Sequence, residues 1–510
     1  MDDREDVGLI LLSIGFVVLL GGAAGVFYLR QSMNQATSTP VTPYGQAMPN
    51  RNFTGTWTSP DQAKIDQYTD QIEADPSSFG AFLGRADAYR RTLNYQAALD
   101  DYNSAIGLDP SSLEALRGRA AVHPILGAHD LALQDITTVV ESGAATSGDY
   151  ASRANINRQL GNFAEAVTDY DTALDLDPTN ISYVGQRAWV ALSAGQYEKA
   201  VDDYSRMLQI DPDEPYARHN RGFAKFQLRD YDGAIKDLRR AVRMSPNNAI
   251  AHADLARILH ADGRLKDAMK QADRAVDLQQ ISQTRGFWVR ARVHRDLGHV
   301  DAALRDLESA LRWEPKSSFL HREQAWVHWA EGDHDAAIAP FTKATELAPS
   351  DMYGHLGLGV MYYHRGRWGD AQASLRRAIE VADESTDYAH FYLYLSYARA
   401  GDRAGADEMI AAHAQDREPI RDGDWPGRIV AFLATELSEG DLLKAARVPA
   451  GQPATERLCE AHFYIGSLQL IESDRDGAVR AFRLCTEQGA TSFYEHHSAR
   501  SELRALGEDL

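Results

Sequence analysis

The chain has 510 residues and a formal net charge of −20, from 53 Lys and Arg against 73 Asp and Glu. That balance argues against sequence-blind nucleic-acid binding, which needs a basic face to neutralise phosphates, and reads as a solvated acidic exterior. Only two cysteines, Cys459 and Cys485, are present, too few for a disulfide-rich or multi-zinc scaffold.

Residues 1–6, MDDRED, form a short acidic start, and residues 7–29 are an apolar run without charge. At about 1.5 Å per residue such a run reaches across a hydrocarbon core of roughly 30 Å. The acidic leader is unlike the positively charged start of a secretory signal. The expectation is a retained transmembrane helix over residues 7–29, in contact with the lipid bilayer of a bacterial inner membrane. Arg4 and Arg30 flank it on either side, so the positive-inside rule leaves the orientation nearly tied. Residues 30–62, with Pro40, Pro43, Pro49 and Pro60 among Thr, Ser and Gln, read as an irregular tether.

From Ile65 onward the sequence becomes periodic. GNFAEAVTDYDTALDLDP (residues 161–178) recurs as GQYEKAVDDYSRMLQIDP (195–212) and RDYDGAIKDLRRAVRMSP (229–246). An offset of about 34 residues means stacked helical hairpins. In each copy a small residue (Ala166, Ala200, Ala234) precedes a bulky one by four (Tyr170, Tyr204, Leu238), followed three later by Ala173, Met207 or Ala241. That spacing marks one face of a helix. An Asp-Pro or Ser-Pro pair closes it, because proline lacks the backbone donor and disfavours helical geometry in the residue before it. Pro124 and Pro340 fall inside expected helices and each predicts a kink.

This pattern resembles the tetratricopeptide repeat (TPR), whose copies carry small residues near positions 8, 20 and 27 and a proline near 32 of about 34. The copy at Phe79 supplies Ala86, Ala98, Ala105 and Pro110, and the copy at Ser318 supplies Ala325, Ala337, Ala344 and Pro349. Further copies start at Ser147, Ile181, Pro215 and Thr284, with weaker ones near Leu113, Ala249, Met352 and Asp387. The resemblance implies an all-α, right-handed TPR-type α-solenoid of about 10–11 hairpins, running over residues 63–418. Residues 419–455 break the period and read as an irregular helical insert. Residues 456–510 read as a final hairpin, with Gly466, Ala478, Phe482 and Cys485 at the repeat spacings, plus a helix over 492–506 that caps the last apolar face.

The last stretch is also similar to the bacterial NlpI-type TPR lipoprotein family. The matching residues are Asp424, Trp425, Ile429, Val430, Phe432, Leu442, Leu443, Glu460, His462, Phe463, Tyr464, Gly466, Phe493, Glu495 and Leu503. That resemblance implies a cell-envelope scaffold that holds protein partners together.

No motif carries chemistry: there is no phosphate-cradling glycine loop, no His-Glu-x-x-His and no nucleophile elbow. We therefore expect no catalytic residue, cofactor or metal. The TPR resemblance implies that positions 2, 5, 9 and 12 of each first helix line a concave groove. There the chain holds Trp189, Tyr216, Phe223, Phe226, Trp288, Arg292, Arg295, Phe319, Arg322, Trp326, Trp329, Tyr353 and Tyr363, residue types enriched at binding hot spots. The expected partner is a peptide segment or helix of another protein. The expected function is a non-catalytic, membrane-anchored scaffold; the alternative is a membrane-fixed assembly subunit of an enzyme or secretion complex on the cytoplasmic side. Cys459 and Cys485 fall at adjoining ends of the last hairpin, so a disulfide is expected. A persistent bridge would place the array in an oxidising compartment, here the periplasm.

Overall fold

The computed structural model describes residues 60–278, 284–382, 385–417, 420–421, 423–448, 453–489 and 494–508. Among them every regular element is helical, and the chain divides into two compact units after Met244. The first unit holds α1 (Pro60–Ala74), α2 (Phe79–Arg91), α3 (Tyr95–Leu108), α4 (Leu113–Val122), α5 (His129–Glu141), α6 (Ser147–Leu160), α7 (Phe163–Leu176), α8 (Ile181–Ser193), α9 (Tyr197–Ile210), α10 (Pro215–Gln227) and α11 (Tyr231–Met244). The second holds α12 (Ala249–Ala261), α13 (Leu265–Asp277), α14 (Thr284–Asp296), α15 (Val300–Trp313), α16 (Ser318–Glu331), α17 (His334–Leu347), α18 (Met352–His364), α19 (Trp368–Glu380), α20 (Asp387–Arg399) and α21 (Arg403–Asp416). It continues with α22 (Trp425–Leu433), α23 (Glu439–Ala446), α24 (Ala454–Ile471), α25 (Arg475–Glu487) and α26 (Tyr494–Ala505).

The hairpins follow from the small-residue spacing. Ala86 and Ala98, where α2 crosses α3, are wholly buried. At the same place in a later copy, a Cβ added to Gly222 would lie 3.2 Å from Leu238 Cγ and 3.3 Å from the Ala234 carbonyl, so a larger side chain would force α10 and α11 apart. The turn inside each hairpin passes through the left-handed region, at φ +83° for Gly161 and +73° for Gly195. Leu93 and Arg229 hold the same site at φ 62° and 60°, where a side chain is strained. The residue before the closing proline turns extended, as at Asp109 after α3 and Asp211 after α9, for the steric reason that proline imposes on its predecessor.

An ion pair recurs inside these hairpins. Arg85–Asp101, Arg119–Asp135, Arg153–Asp169, Arg187–Asp203, Arg221–Asp237 and Arg290–Asp306 each join a first helix to its second across 16 residues, at 2.6–2.8 Å. The carboxylates are buried.

One helix expectation changes. Pro124 ends α4 at Val122 and sits in the 3-10 turn His123–Leu126, so the helix stops instead of kinking. Pro340 lies within α17, which runs on to Leu347. Within the last hairpin, Cys459 on α24 and Cys485 on α25 are joined by a disulfide.

The membrane expectation is corrected. Among the described residues no helix is long and apolar enough to cross a bilayer. The segment that carried the expectation, residues 7–29, lies outside them, as does most of the tether. The reading as a single-pass inner-membrane protein with a periplasmic array is therefore withdrawn, and with it the bilayer contact and the membrane-fixed alternative.

Candidate protein-docking faces

The residues singled out in the sequence fall into two groups with different fates. In the first unit Phe223 and Phe226 are core residues, 3% and 4% exposed. Trp189 is half-buried, edge-on to Phe163 with ring centroids 6.3 Å apart. Tyr216 is 40% exposed and stands edge-on to the buried Tyr204 at 6.3 Å, where its hydroxyl also meets the Asn220 side chain.

A residue that the sequence reading passed over completes this group. Arg158, near the end of α6, stacks its guanidinium over the Trp189 ring at 5.3 Å. Its charge also reaches Tyr170 and Tyr216. Arg153, one turn earlier, is held by Asp169, whereas Arg158 has no carboxylate at ion-pair distance among the described residues, and its Nε has no hydrogen-bond partner there. The Tyr170 hydroxyl beside it is likewise buried without a partner. Burial pushes the Tyr170 phenol well above its ordinary pKa, so it remains a neutral donor. The signal was present: Arg158 occupies position 12 of the copy that begins at Ser147.

In the second unit the predicted residues do come together, but as interior. Trp288, Phe319, Arg322, Trp326, Trp329 and Tyr363 are each less than 10% exposed. Arg292 lies 5.0 Å over Trp288 and 5.7 Å over Phe319. Arg322 follows at 5.7 Å over Phe319 and 5.5 Å over Tyr353. These arginines are committed: Arg292 donates two hydrogen bonds to Glu323 at 2.9 and 2.7 Å, and Arg322 donates to both oxygens of Asp351 at 2.7 and 2.8 Å. Arg295 donates to Asp296, which also bonds His260 at 2.8 Å. Burial alone would raise the Glu323 pKa; Arg292, Arg295 and Arg322 outweigh it and hold the carboxylate below its usual range. The expectation of an exposed hot-spot groove is corrected here: the ladder of rings and arginines is closed by its own carboxylates.

It is also covered. α26 does more than cap the last hairpin. Tyr494 sits 4.7 Å from Trp326 and stacks on Trp329 at 4.9 Å, and His497 lies 5.0 Å from Trp329. Ser498 bonds His364 at 3.0 Å and Tyr392 at 2.8 Å, and Ser501 bonds His334 at 3.0 Å. Arg399 donates to Glu502 at 3.3 Å, and Arg504 to the Glu331 carbonyl at 3.3 Å. One helix thus lies across α16, α18 and α20, 103–173 residues earlier in the chain.

Among the described residues no group of three or more His, Cys, Asp or Glu side chains is placed to hold a metal ion.

The two units are thus helical-repeat architecture, built from successive antiparallel helix pairs. Tetratricopeptide-repeat family profiles match residues 72–147, 152–215, 186–261, 289–351 and 322–385, more than half of the sequence. The chain belongs to the tetratricopeptide repeat family. Solved structures with a similar fold include human IFIT1 as a dimer with m7Gppp-AAAA, at 19% identity and TM-score 0.42 over 74% of this chain and 90% of that one. YrrB, described as a TPR protein with an unusual peptide-binding site, matches at 18% identity and TM-score 0.35 over 39% of this chain and 99% of that one. A MamA fragment from Desulfovibrio magneticus RS-1 matches at 19% identity and TM-score 0.31, over 32% of this chain and 94% of that one. The family matches stop at residue 385, so nothing supports an NlpI-type relationship for the C-terminal stretch.

Proposed function

We propose that the protein is a non-catalytic interaction scaffold that docks an acidic segment of a partner protein against the Arg158–Trp189–Tyr216 face of the first unit. TPR arrays present extended surfaces of this kind to their partners. The observation that carries the reading is the Arg158 guanidinium, stacked on Trp189 and, among the described residues, without a carboxylate at ion-pair distance. A partner Asp or Glu would supply the missing counter-charge by a charge-assisted hydrogen bond, and the Trp189 and Tyr216 rings would flank its stem. The net charge of −20 does not oppose this, because distant surface charges are screened beyond about 8 Å at physiological ionic strength.

The test is crosslinking capture with the wild-type chain, Arg158→Ala and Trp189→Ala. Trp313→Ala, a ring 67% exposed at the end of a second helix, serves as control. Partners lost from both face variants and retained by the control support the reading. Each variant should weaken binding by about 2 kcal/mol, the hot-spot range. Partners retained at full yield by Arg158→Ala and Trp189→Ala would overturn it.

A further inference from the structure

The turn inside each hairpin is closed by a backbone bond that spans five residues. Asn162 N–H donates to the Asn157 carbonyl at 2.9 Å, Asp230 to Lys225 at 2.9 Å, His299 to His294 at 2.8 Å and Asp333 to His328 at 3.0 Å. This closure, with a left-handed residue between, brings the two bonded residues to the same side of the turn. The turn belongs to the repeat; the pair of side chains belongs to each copy. In the copy that begins at Thr284 both are histidine: His294, half-buried on α14, and His299, exposed just before α15. Gly298 between them holds φ +75°.

The two rings meet through equivalent atoms. Nδ1 of His294 and Nδ1 of His299 stand 3.3 Å apart, with ring centroids at 5.5 Å and planes inclined by 53°. Two imidazole nitrogens bound to a tetrahedral Zn2+ at about 2.0–2.1 Å stand about 3.3–3.4 Å from each other. Around a square-planar Cu2+ or Ni2+ with bonds of about 2.0 Å they would be about 2.8 Å apart. The observed separation is the tetrahedral one. The nitrogens now face each other, as in an N–H···N hydrogen bond. Seating an ion requires each ring to turn by about 35°, so that the lone pairs meet beside the line joining the nitrogens, and no other side chain is printed on either nitrogen to oppose this.

We propose that His294 Nδ1 and His299 Nδ1 are the protein ligands of a Zn2+ ion at the α14–α15 turn. Two positions of the tetrahedron then remain for water, which makes this an open site. The surroundings suit a cation. The charged groups that His294 faces, besides His299, are Asp306, Asp273 and the Arg290 guanidinium, which those two carboxylates hold at 2.7 and 3.1 Å. Two carboxylates against one guanidinium leave a negative surplus beside the rings. Burial keeps the His294 imidazole below its ordinary pKa, so at neutral pH it is the neutral ligand that a metal needs. The site lies within the second unit and is independent of the reading given for the first.

The experiment titrates the full chain, first stripped with a chelator, with Zn2+ against a chromophoric zinc indicator at pH 7.5. The variants are His294→Ala and His299→Ala; the control is His355→Ala, whose ring bonds the Pro349 carbonyl outside the pair. The wild type should take up one equivalent that the control retains. Each pair variant should bind it at least about tenfold more weakly, since loss of even an outer-shell partner costs that much. Hydrogen exchange should slow on zinc addition at residues 297–300 in the wild type and in the control, and not in the pair variants. A wild type that takes up no zinc, or whose 297–300 amides ignore it, overturns the proposal; both readouts need only the wild-type chain. An equivalent held as tightly by folded His294→Ala and His299→Ala as by the wild type would also overturn it.

Discussion

Arg187 grips Asp203 with two parallel hydrogen bonds, Nε to Oδ2 at 2.8 Å and Nη2 to Oδ1 at 2.7 Å, and Asp203 is almost wholly enclosed. Removing Arg187 leaves the Asp203 charge buried and uncompensated, so Arg187→Ala should cost about 3–5 kcal/mol. Replacing both, as Arg187→Met with Asp203→Leu, should be nearly neutral by the same principle. Arg240–Asp213 is 47% and 69% exposed, and its removal should cost under about 1 kcal/mol. Urea denaturation of the three variants measures the differences; a cheap Arg187→Ala would mean that the buried rungs carry no stability.

Leu93 should respond in the opposite direction. It holds φ 62° with its side chain 69% exposed, at the hairpin position where Gly127, Gly161 and Gly195 stand in later copies. A left-handed conformation costs a side-chain-bearing residue roughly 1–2 kcal/mol. Leu93→Gly should raise stability by about 1 kcal/mol net of glycine's larger unfolded entropy, seen as a higher denaturation midpoint with an unchanged slope.

Trp329, chosen from the sequence as a docking ring, should behave as core. It is 4% exposed and packs on Trp326 at 5.1 Å and on Tyr494. Trp329→Ala should cost about 3–5 kcal/mol, with early loss of α26 protection in hydrogen exchange. A binding defect without any stability loss would return the ring to a docking role.

Acid should weaken the second unit through Asp387. His413 and Arg417 donate to this carboxylate at 2.7 and 2.8 Å. Burial alone would raise its pKa, but these partners outweigh it and hold the group well below the usual range. A depressed acid contributes fully above its free value, about 3.9, and the contribution is lost as pH falls through the folded value. The melting temperature should drop below about pH 4, and Asp387→Asn should flatten that limb while lowering stability at neutrality.

The Cys459–Cys485 bridge spans 26 residues, and closing a loop of that size should stabilise by about 3–4 kcal/mol in the chain-entropy model. Thiol labelling of the denatured chain should find no reactive thiol before reduction and two after it. Two reactive thiols before reduction would show the pair open.

The hairpins were legible because their signals are local. Ala166 to Tyr170 to Ala173 fixes a helix face, and the proline after Asp177 fixes its end. The buried Arg–Asp rungs went unread, although Arg85, Arg119, Arg153, Arg187 and Arg221 recur at the repeat spacing, because a period alone does not say which carboxylate answers each. The aromatic positions were assigned to first helices, but their exposure was misread. Position in a repeat says which way a ring points; it does not say that Tyr494, more than 160 residues later, will lie on Trp326 and Trp329. Nothing in the sequence near α26 marks its seat, because the groups it meets belong to repeats with an ordinary pattern of their own.

That clasp changes how the second unit comes apart. A stack of hairpins that touch only their neighbours melts by degrees, each end fraying while the middle persists. α26 ties Glu331 and His334 to Arg504 and Ser501 across 167–173 residues, making a closed circuit of what would otherwise be a row. Closing it carries the entropy of a long loop, so the clasp forms late in folding. Once formed, it makes loss of the terminal hairpin and exposure of Trp326 and Trp329 one event. The first unit is left with the gradual behaviour of an open row, and the second gains a single threshold.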